Sequence, residues 1–283
     1  MLRIRRFHRN DIAFAVRLSK REGWGIPPRD FQRIIDLNPR GSFVATIGGR
    51  RVGLATTTSF GKEVGWIGNV VVAREHRGKH IGQALMHEAV RYLMNEQVKR
   101  IVLYCYNENV QFYKRLGFIP GQRFVRLRRE QRPAQGQVSF SASSKRLSLR
   151  SVLSEDRKIF GADRSRLMKC LLKLGHAWYL GYAAKSSLSY LLVKKYDDMN
   201  ELGPWVSIGL RKEELDAMLK TVIARAGNKP MEVSCPLRHG RVLEIFRKHR
   251  FRIIERGRLM HYERIAELGS PNAIVALGFL DKG

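Results

Sequence analysis

Along the first 130 residues the apolar positions switch repeatedly between a period of two and a period near 3.6, and each switch marks an element boundary. Residues 2–7 read as a strand. Asn10 or Asp11 then caps a helix that carries Ile12, Ala15, Val16 and Leu18 at helical spacing, and a second helix follows Pro28. Residues 42–47 and 52–59 alternate around Gly48-Gly49, a pair that accepts positive φ, and so predict a hairpin. The series continues with a strand over 64–72, a helix over 82–95 carrying Ala84, Leu85, Ala89 and Leu93, and a strand over 101–106. A short helix with Val110, Phe112 and Tyr113 ends at Gly117, before a strand over 118–127.

Between 121 and 150 this rhythm gives way to charge. Arg123, Arg126, Arg128, Arg129, Arg132, Lys145, Arg146 and Arg150 stand against Glu130 alone, among Gln, Ser and Gly, so residues 131–150 read as a basic linker, with a further strand conceivable over 138–140. Beyond it the first half is echoed. Leu103-Tyr104-Cys105, Phe112-Tyr113-Lys114-Arg115 and Phe118 return as Val233-Ser234-Cys235, Ile245-Phe246-Arg247-Lys248 and Phe251, with three extra residues in the intervening loop. Either the fold is duplicated, as residues 1–130 and 151–283, or two strand–helix–strand units are alike by chance; duplication is the natural inference.

Composition narrows the class. With 44% apolar and 28% charged residues in 283, the chain has the balance of a folded protein of two domains. No apolar run approaches the ~18–20 residues of a membrane span, and charge interrupts the start before a signal-peptide core forms, which predicts a cytoplasmic protein with no membrane partner. Cys105, Cys170 and Cys235 are odd in number and widely spaced, without a C-x-x-C pair, and read as buried or idle thiols. Lys and Arg number 53 against 25 Asp and Glu, a net charge of +28. Such an excess suits a polyanion such as nucleic acid or the ribosome, or else is a solvated surface with no dedicated partner.

The chemistry concentrates in residues 68–84, where a β-branched strand runs through a short polar loop straight into a helix. Free N–H groups at a helix start, reinforced by the helix dipole, make a phosphate site. Gly78 and Gly82 allow close backbone approach, and Arg77 and Lys79 add charge. The G-x-G-x-x-G and G-x-x-x-x-G-K-[ST] patterns are both absent.

Arg77, His80 and Gly82 fall at the fixed positions of a [Q/R]-x-x-G-x-[G/A] loop, with His80 in place of the middle glycine. The segment resembles the pyrophosphate loop of the GNAT N-acetyltransferase superfamily. Residues 107–118, N-E-N-V-Q-F-Y-K-R-L-G-F, are similar to that family's segment beside the pantetheine arm, with its Tyr, Gly and Phe at Tyr113, Gly117 and Phe118. The resemblance implies an α+β chain of two tandem GNAT-like domains, each a mixed, mostly antiparallel sheet flanked by helices. It implies acetyl-CoA as donor and an amine as acceptor. The implied donor contacts are Val70, Val71, Val72, Arg77, Gly78, Lys79, His80, Ile81, Gly82, Gln83, Asn107 and Tyr113, with Tyr113 as proton donor to the leaving sulfur. The loop can bind through its N–H groups with His80 in an ordinary helical or bridge conformation.

The second copy has no such loop over 203–215 and carries Phe246 where Tyr113 stands, so it is expected to be degenerate and to serve as a substrate wall or partner surface. Glu63, Glu75 and His76 are candidate bases, also readable as solvated surface residues, Asn69 is a candidate substrate contact, and Trp24 and Trp66 are candidate acceptor-pocket walls, also readable as core residues. The basic surface argues against free polyamines as acceptors unless the cleft is locally acidic. The competing reading is a nucleic-acid- or ribosome-binding protein on the same scaffold, although no RRM-type aromatic strand or KH loop is present.

Overall fold

The computed structural model describes residues 1–131, 145–184, 187–265 and 269–278. The first copy begins with β1 (Leu2–Arg6), α1 (Ile12–Arg21) and α2 (Pro28–Leu37). The hairpin β2 (Phe43–Ile47) and β3 (Arg50–Phe60) turns at Gly48 and Gly49, both at positive φ, and β4 (Val64–Val72) follows. The remaining elements are α3 (Ile81–Asn95), β5 (Ile101–Tyr106), α4 (Val110–Lys114) and β6 (Phe118–Arg129). Asp11 does not cap α1 with its side chain; the carboxylate instead accepts hydrogen bonds from Arg5, Arg51 and the His8 N–H.

The second copy repeats this order. It comprises β7 (Lys145–Arg146), α5 (Leu149–Phe160), α6 (Ser165–Lys173), β8 (Ala177–Ala184), β9 (Ser187–Lys195), β10 (Asn200–Ile208), α7 (Lys212–Ala226), β11 (Met231–Pro236), α8 (Gly240–Lys248) and β12 (Arg252–Tyr262). A last strand, β13 (Ile274–Ala276), has no counterpart in the first copy among the described residues. The end of the expected linker thus already belongs to the second copy, while the strand considered over 138–140 lies outside the described residues.

All thirteen strands form one sheet, in the order β1-β2-β3-β4-β5-β12-β6-β11-β10-β9-β8-β7, with β13 beside β10. Within it the two copies exchange their final strands. Strand β12 lies between β5 and β6, pairing Gly257 with Tyr106 and Met260 with Leu103 on one side and Gly257 with Phe124 on the other. Strand β6 in turn pairs with β11, Leu127 opposite Val233.

Helices cover both faces. Leu85, Met86, Ala89 and Leu93 of α3 pack on Val52, Ala55, Ile67 and Leu103, and Leu18, Phe31 and Ile34 of α1 and α2 pack on Val44, Leu54 and Val71. In the second copy α7 and α8 cover Trp205 and Val233. Helix α2 also leans on the second copy: Lys194 Nζ lies 3.0 Å from the Asp30 carboxylate, and the Tyr196 hydroxyl donates to Asp30 at 3.1 Å. A buried carboxylate paired in this way ties the copies in one arrangement, since removing either partner would strand a charge away from water.

Candidate functional site

Two parallel strand pairs interrupt the otherwise antiparallel sheet, and each marks a place where neighbours part. Strands β4 and β5 pair only from Gly65–Ile101 to Ile67–Leu103. Immediately beyond, β4 carries a bulge between its pairings with Leu54 and Thr56, and Asn69 takes φ 51°. A bulge bends its strand and re-aims the residues that follow. Val70, Val71 and Val72 therefore swing away from Tyr104, Cys105 and Tyr106, and both inner edges keep backbone groups unpaired across the gap.

A cavity of about 930 Å³ fills this opening. It is lined by Val70, Val71, Val72, Arg77, Gly78, His80, Ile81, Gly82, Gln83 and Tyr113 of the expected donor contacts. Lys79 and Asn107 are not among its lining residues; Asn109, Phe112, Arg115 and Leu116, which the sequence reading did not single out, are. The first hydrogen bond of the helical run here is Ala84 N–H to His80 O at 3.0 Å, and no side chain caps this end of α3. The N–H groups of residues 80–83 precede it and so face the cavity without an intrahelical partner.

His80 takes φ 55°, ψ 12°, the left-handed conformation, and not the helical or bridge conformation expected for it. The turn from Gly78, at φ 77°, into the helix needs that geometry, and His80 adopts it at a strain cost of roughly 1–2 kcal/mol. Its ring stays exposed, Nδ1 3.2 Å from the Gln83 carbonyl oxygen. Arg77 is held by its own bonds, Nε donating to Val72 O at 3.0 Å and the guanidinium to Glu22 at 2.6 Å, so it braces the end of β4 against α1.

Tyr113 is buried and edge-on to Phe112 and Phe118. Desolvation raises its phenol pKa, with a smaller contribution from Cys105, so the hydroxyl stays protonated at neutral pH. Tyr113 also lines a second cavity of about 280 Å³ that opens from the same gap. The loop between α1 and α2 contributes Trp24, Gly25 and Ile26 to this cavity, and β5 contributes Tyr104 and Tyr106. The second copy supplies Tyr196, Asp198, Met199, Glu201, Glu232 and Ser234. Glu232 is held by Arg126 at 2.8 Å and Arg128 at 2.9 Å.

Other candidates fare unevenly. Trp24 lines both cavities, but Trp66 is fully buried in the core and walls neither. Asn69 reaches the second cavity with its amide donating to Thr56 Oγ1 at 3.0 Å. Glu63 bonds Lys99 at 2.7 Å beside Arg100, at the far end of β4 and outside both cavities, and Glu75 is exposed near Arg21. His76 lines the larger cavity with a buried Nδ1 that has no hydrogen-bond partner among the described residues. Cys105 and Cys235 are buried, and desolvation raises the thiol pKa of Cys105 to about 12. Among the described residues no cluster of metal-ligating side chains occurs, and no helix is long and apolar enough to cross a membrane.

The second parallel pair, β10 with β11, also ends early, at Leu202–Val233. Here the gap is occupied. Strand β13 runs into it, Ala276 opposite Trp205 and Ile274 opposite Val206, and Leu277 N–H donates to Ser234 O at 2.9 Å. Ile274, Val275, Ala276 and Leu277 are all buried. The following helix is closed too: the Glu214 carboxylate accepts the Arg211 N–H at 2.8 Å, and Glu213 and Glu214 place negative charge in the first turn of α7.

Residues 11–118 match the model of the acetyltransferase (GNAT) family. A stretch of 70 residues, 25% of this chain, is 31% identical to the uncharacterized N-acetyltransferase ycf52 of Porphyra purpurea, and it spans 40% of that protein. Two solved structures share the fold over nearly the whole chain. A Pyrococcus horikoshii protein described as an acetyltransferase superposes with a TM-score of 0.79 over 100% of this chain and 96% of its own, at 18% identity. A tandem GNAT protein from the clavulanic acid biosynthesis pathway gives 0.66 over 94% of this chain and 100% of its own, at 12% identity.

Proposed function

We propose, from the match of residues 11–118 to the acetyltransferase (GNAT) family, that the chain moves the acetyl group of acetyl-CoA to an amine, holding the donor in the first copy alone. The observation that carries the reading is the open gap between β4 and β5 beside the uncapped start of α3. An extended pantetheine arm fits the unpaired edge of Val70–72, and the N–H groups of residues 80–83 suit its pyrophosphate.

Each chemical role has a group in the site. A backbone N–H of the Val70–72 edge polarises the thioester carbonyl as the amine nitrogen attacks its carbon. As the C–N bond forms and the C–S bond breaks, Tyr113 gives its phenolic proton to the departing sulfur. The proton that the amine sheds passes to solvent through the cavity mouth. The amine enters from the second cavity, which meets the first at Val70 and Tyr113. Both reactants are thereby fixed beside one hydroxyl, which is the larger part of what such a site contributes to rate.

Titration calorimetry with acetyl-CoA tests the donor site. A Cβ at Gly82 would lie 3.4 Å from Phe112 Cζ, so Gly82→Trp has to enter the cavity or displace that ring. One saturable site per chain is expected, weakened at least a hundredfold in the variant. No binding to the folded wild-type protein would remove the proposal.

A further inference from the structure

The second cavity reverses the charge of the protein around it. In a chain with more than twice as many Lys and Arg as Asp and Glu, its lining holds four carboxylates, Asp30, Asp198, Glu201 and Glu232, against two guanidinium groups. Two of the four are committed to partners: Glu232 to Arg126 and Arg128, and Asp30 to Lys194 and Arg33. The others sit on the turn between β9 and β10 and on β10 itself. Asp198 is exposed and forms no ion pair among the described residues, while Glu201 lies 3.6 Å from a Lys194 ammonium that sits closer to Asp30. Aromatic rings stand around them, Trp24 from the first copy and Tyr196 from the second, whose hydroxyl lies between the carboxylates of Asp30 at 3.1 Å and Glu201 at 3.2 Å. Deeper in, the Tyr104 hydroxyl is buried and has no hydrogen-bond partner among the described residues.

Carboxylates among aromatic faces, in a cavity of small-molecule size that opens onto the reaction centre, hold a cation well and an anion badly. Resting on the acetyl-transfer reading above, we propose that the acceptor is a small molecule with a second positive charge beside the amine that is acetylated. Asp198 and Glu201 hold that second charge against Trp24 and Tyr196, and the unpartnered Tyr104 hydroxyl faces the acceptor chain. The degenerate copy is then the specificity element of the enzyme. The distant charge anchors the molecule while the amine to be acetylated, deprotonated, points at the thioester.

The probe pair is 1,4-diaminobutane and 1-aminobutane, equal in carbon chain and different by one charge. Release of free CoA thiol is followed with the full chain, its Glu201→Gln and Asp198→Asn variants, and the double variant. Wild type is expected to favour the diamine at least tenfold in kcat/KM, through KM. That ratio should collapse toward one in the double variant, with the Kd for acetyl-CoA unmoved in the same preparations. Equal use of both amines by wild type, or a preference that survives in the double variant, overturns the proposal. Should wild type bind no acetyl-CoA, the donor reading fails by itself. The cavity is then judged by calorimetry with the diamine alone: binding weakened at least tenfold by the double substitution upholds the cation site, and no binding, or binding indifferent to the substitutions, overturns it.

Discussion

The two gaps in the sheet began as the same structural solution and ended differently. In each copy a short parallel ladder of three residue pairs gives out and the strands diverge, β4 from β5 and β10 from β11. A gap of this kind leaves backbone groups that water, a ligand or more chain can satisfy. The first copy leaves the place for a ligand, and the second fills it with residues 274–277. The helices that follow differ in the same sense: α3 starts with free N–H groups and no acid, α7 with two glutamates and a satisfied N–H. Negative charge at a helix start repels the phosphate that a bare start attracts. Duplication thus preserved the scaffold, while one gap stayed open and the other was filled.

The comparison can be broken most severely by separating the copies. Residues 1–130 alone lack β12, so β5 and β6 lose the strand between them; we expect no cooperative thermal transition and no donor binding, with both restored on co-expression with residues 131–283. A fragment that binds acetyl-CoA unaided would show that the exchange is dispensable. Ending the chain after Ser270 removes the plug. Loss of Ile274, Val275 and Leu277 from the interior should lower unfolding stability by about 5 kcal/mol in denaturant titration, at ~1.5–3 kcal/mol per large apolar side chain. Calorimetry on that variant should still count one donor per chain, because α7 stays closed; two sites would refute the account of the second copy. The smallest effect is expected from His80→Gly. Relief of left-handed strain is partly offset by glycine's greater entropy in the unfolded chain, so stability should move by less than about 1 kcal/mol. Donor affinity should change less than fivefold if the N–H groups do the binding, whereas a hundredfold loss would assign phosphate contact to the imidazole.

Local elements were legible in the sequence because local forces make them. The strands at 64–72 and 101–106 were read at their observed bounds, and the helix expected over 82–95 begins one residue earlier. The echo around Cys105 and Cys235 maps onto β5-α4-β6 and β11-α8-β12, as duplication requires. What was not legible is which strand neighbours which. Alternation fixes the face a residue presents but says nothing of its partner across the ladder, so neither the exchange of β6 and β12 nor the plug could be foreseen. The second cavity escaped for the same reason: Glu201 and Tyr196 lie far along the chain from Trp24 and Tyr104, and only tertiary packing joins them. Trp66 was open to two readings, and burial in the core settled it. The left-handed His80 ran against the residue type, since only the turn from Gly78 demands it.

The exchanged strand also sets a schedule for synthesis. The chain emerges from its N-terminus, and the slot between β5 and β6 cannot be filled until Tyr262, the last residue of β12, has been made. For the time taken to translate more than a hundred residues after β6, roughly 5–20 s or longer at ~5–20 residues per second, the first copy waits with two unpaired edges. Such edges invite pairing with other chains. The basic charge of the nascent segments opposes that encounter between like copies, and the wall of the larger cavity is finished only when the second copy arrives. A ribosome that stalls before β12 therefore yields only a half-built sheet for quality control to clear.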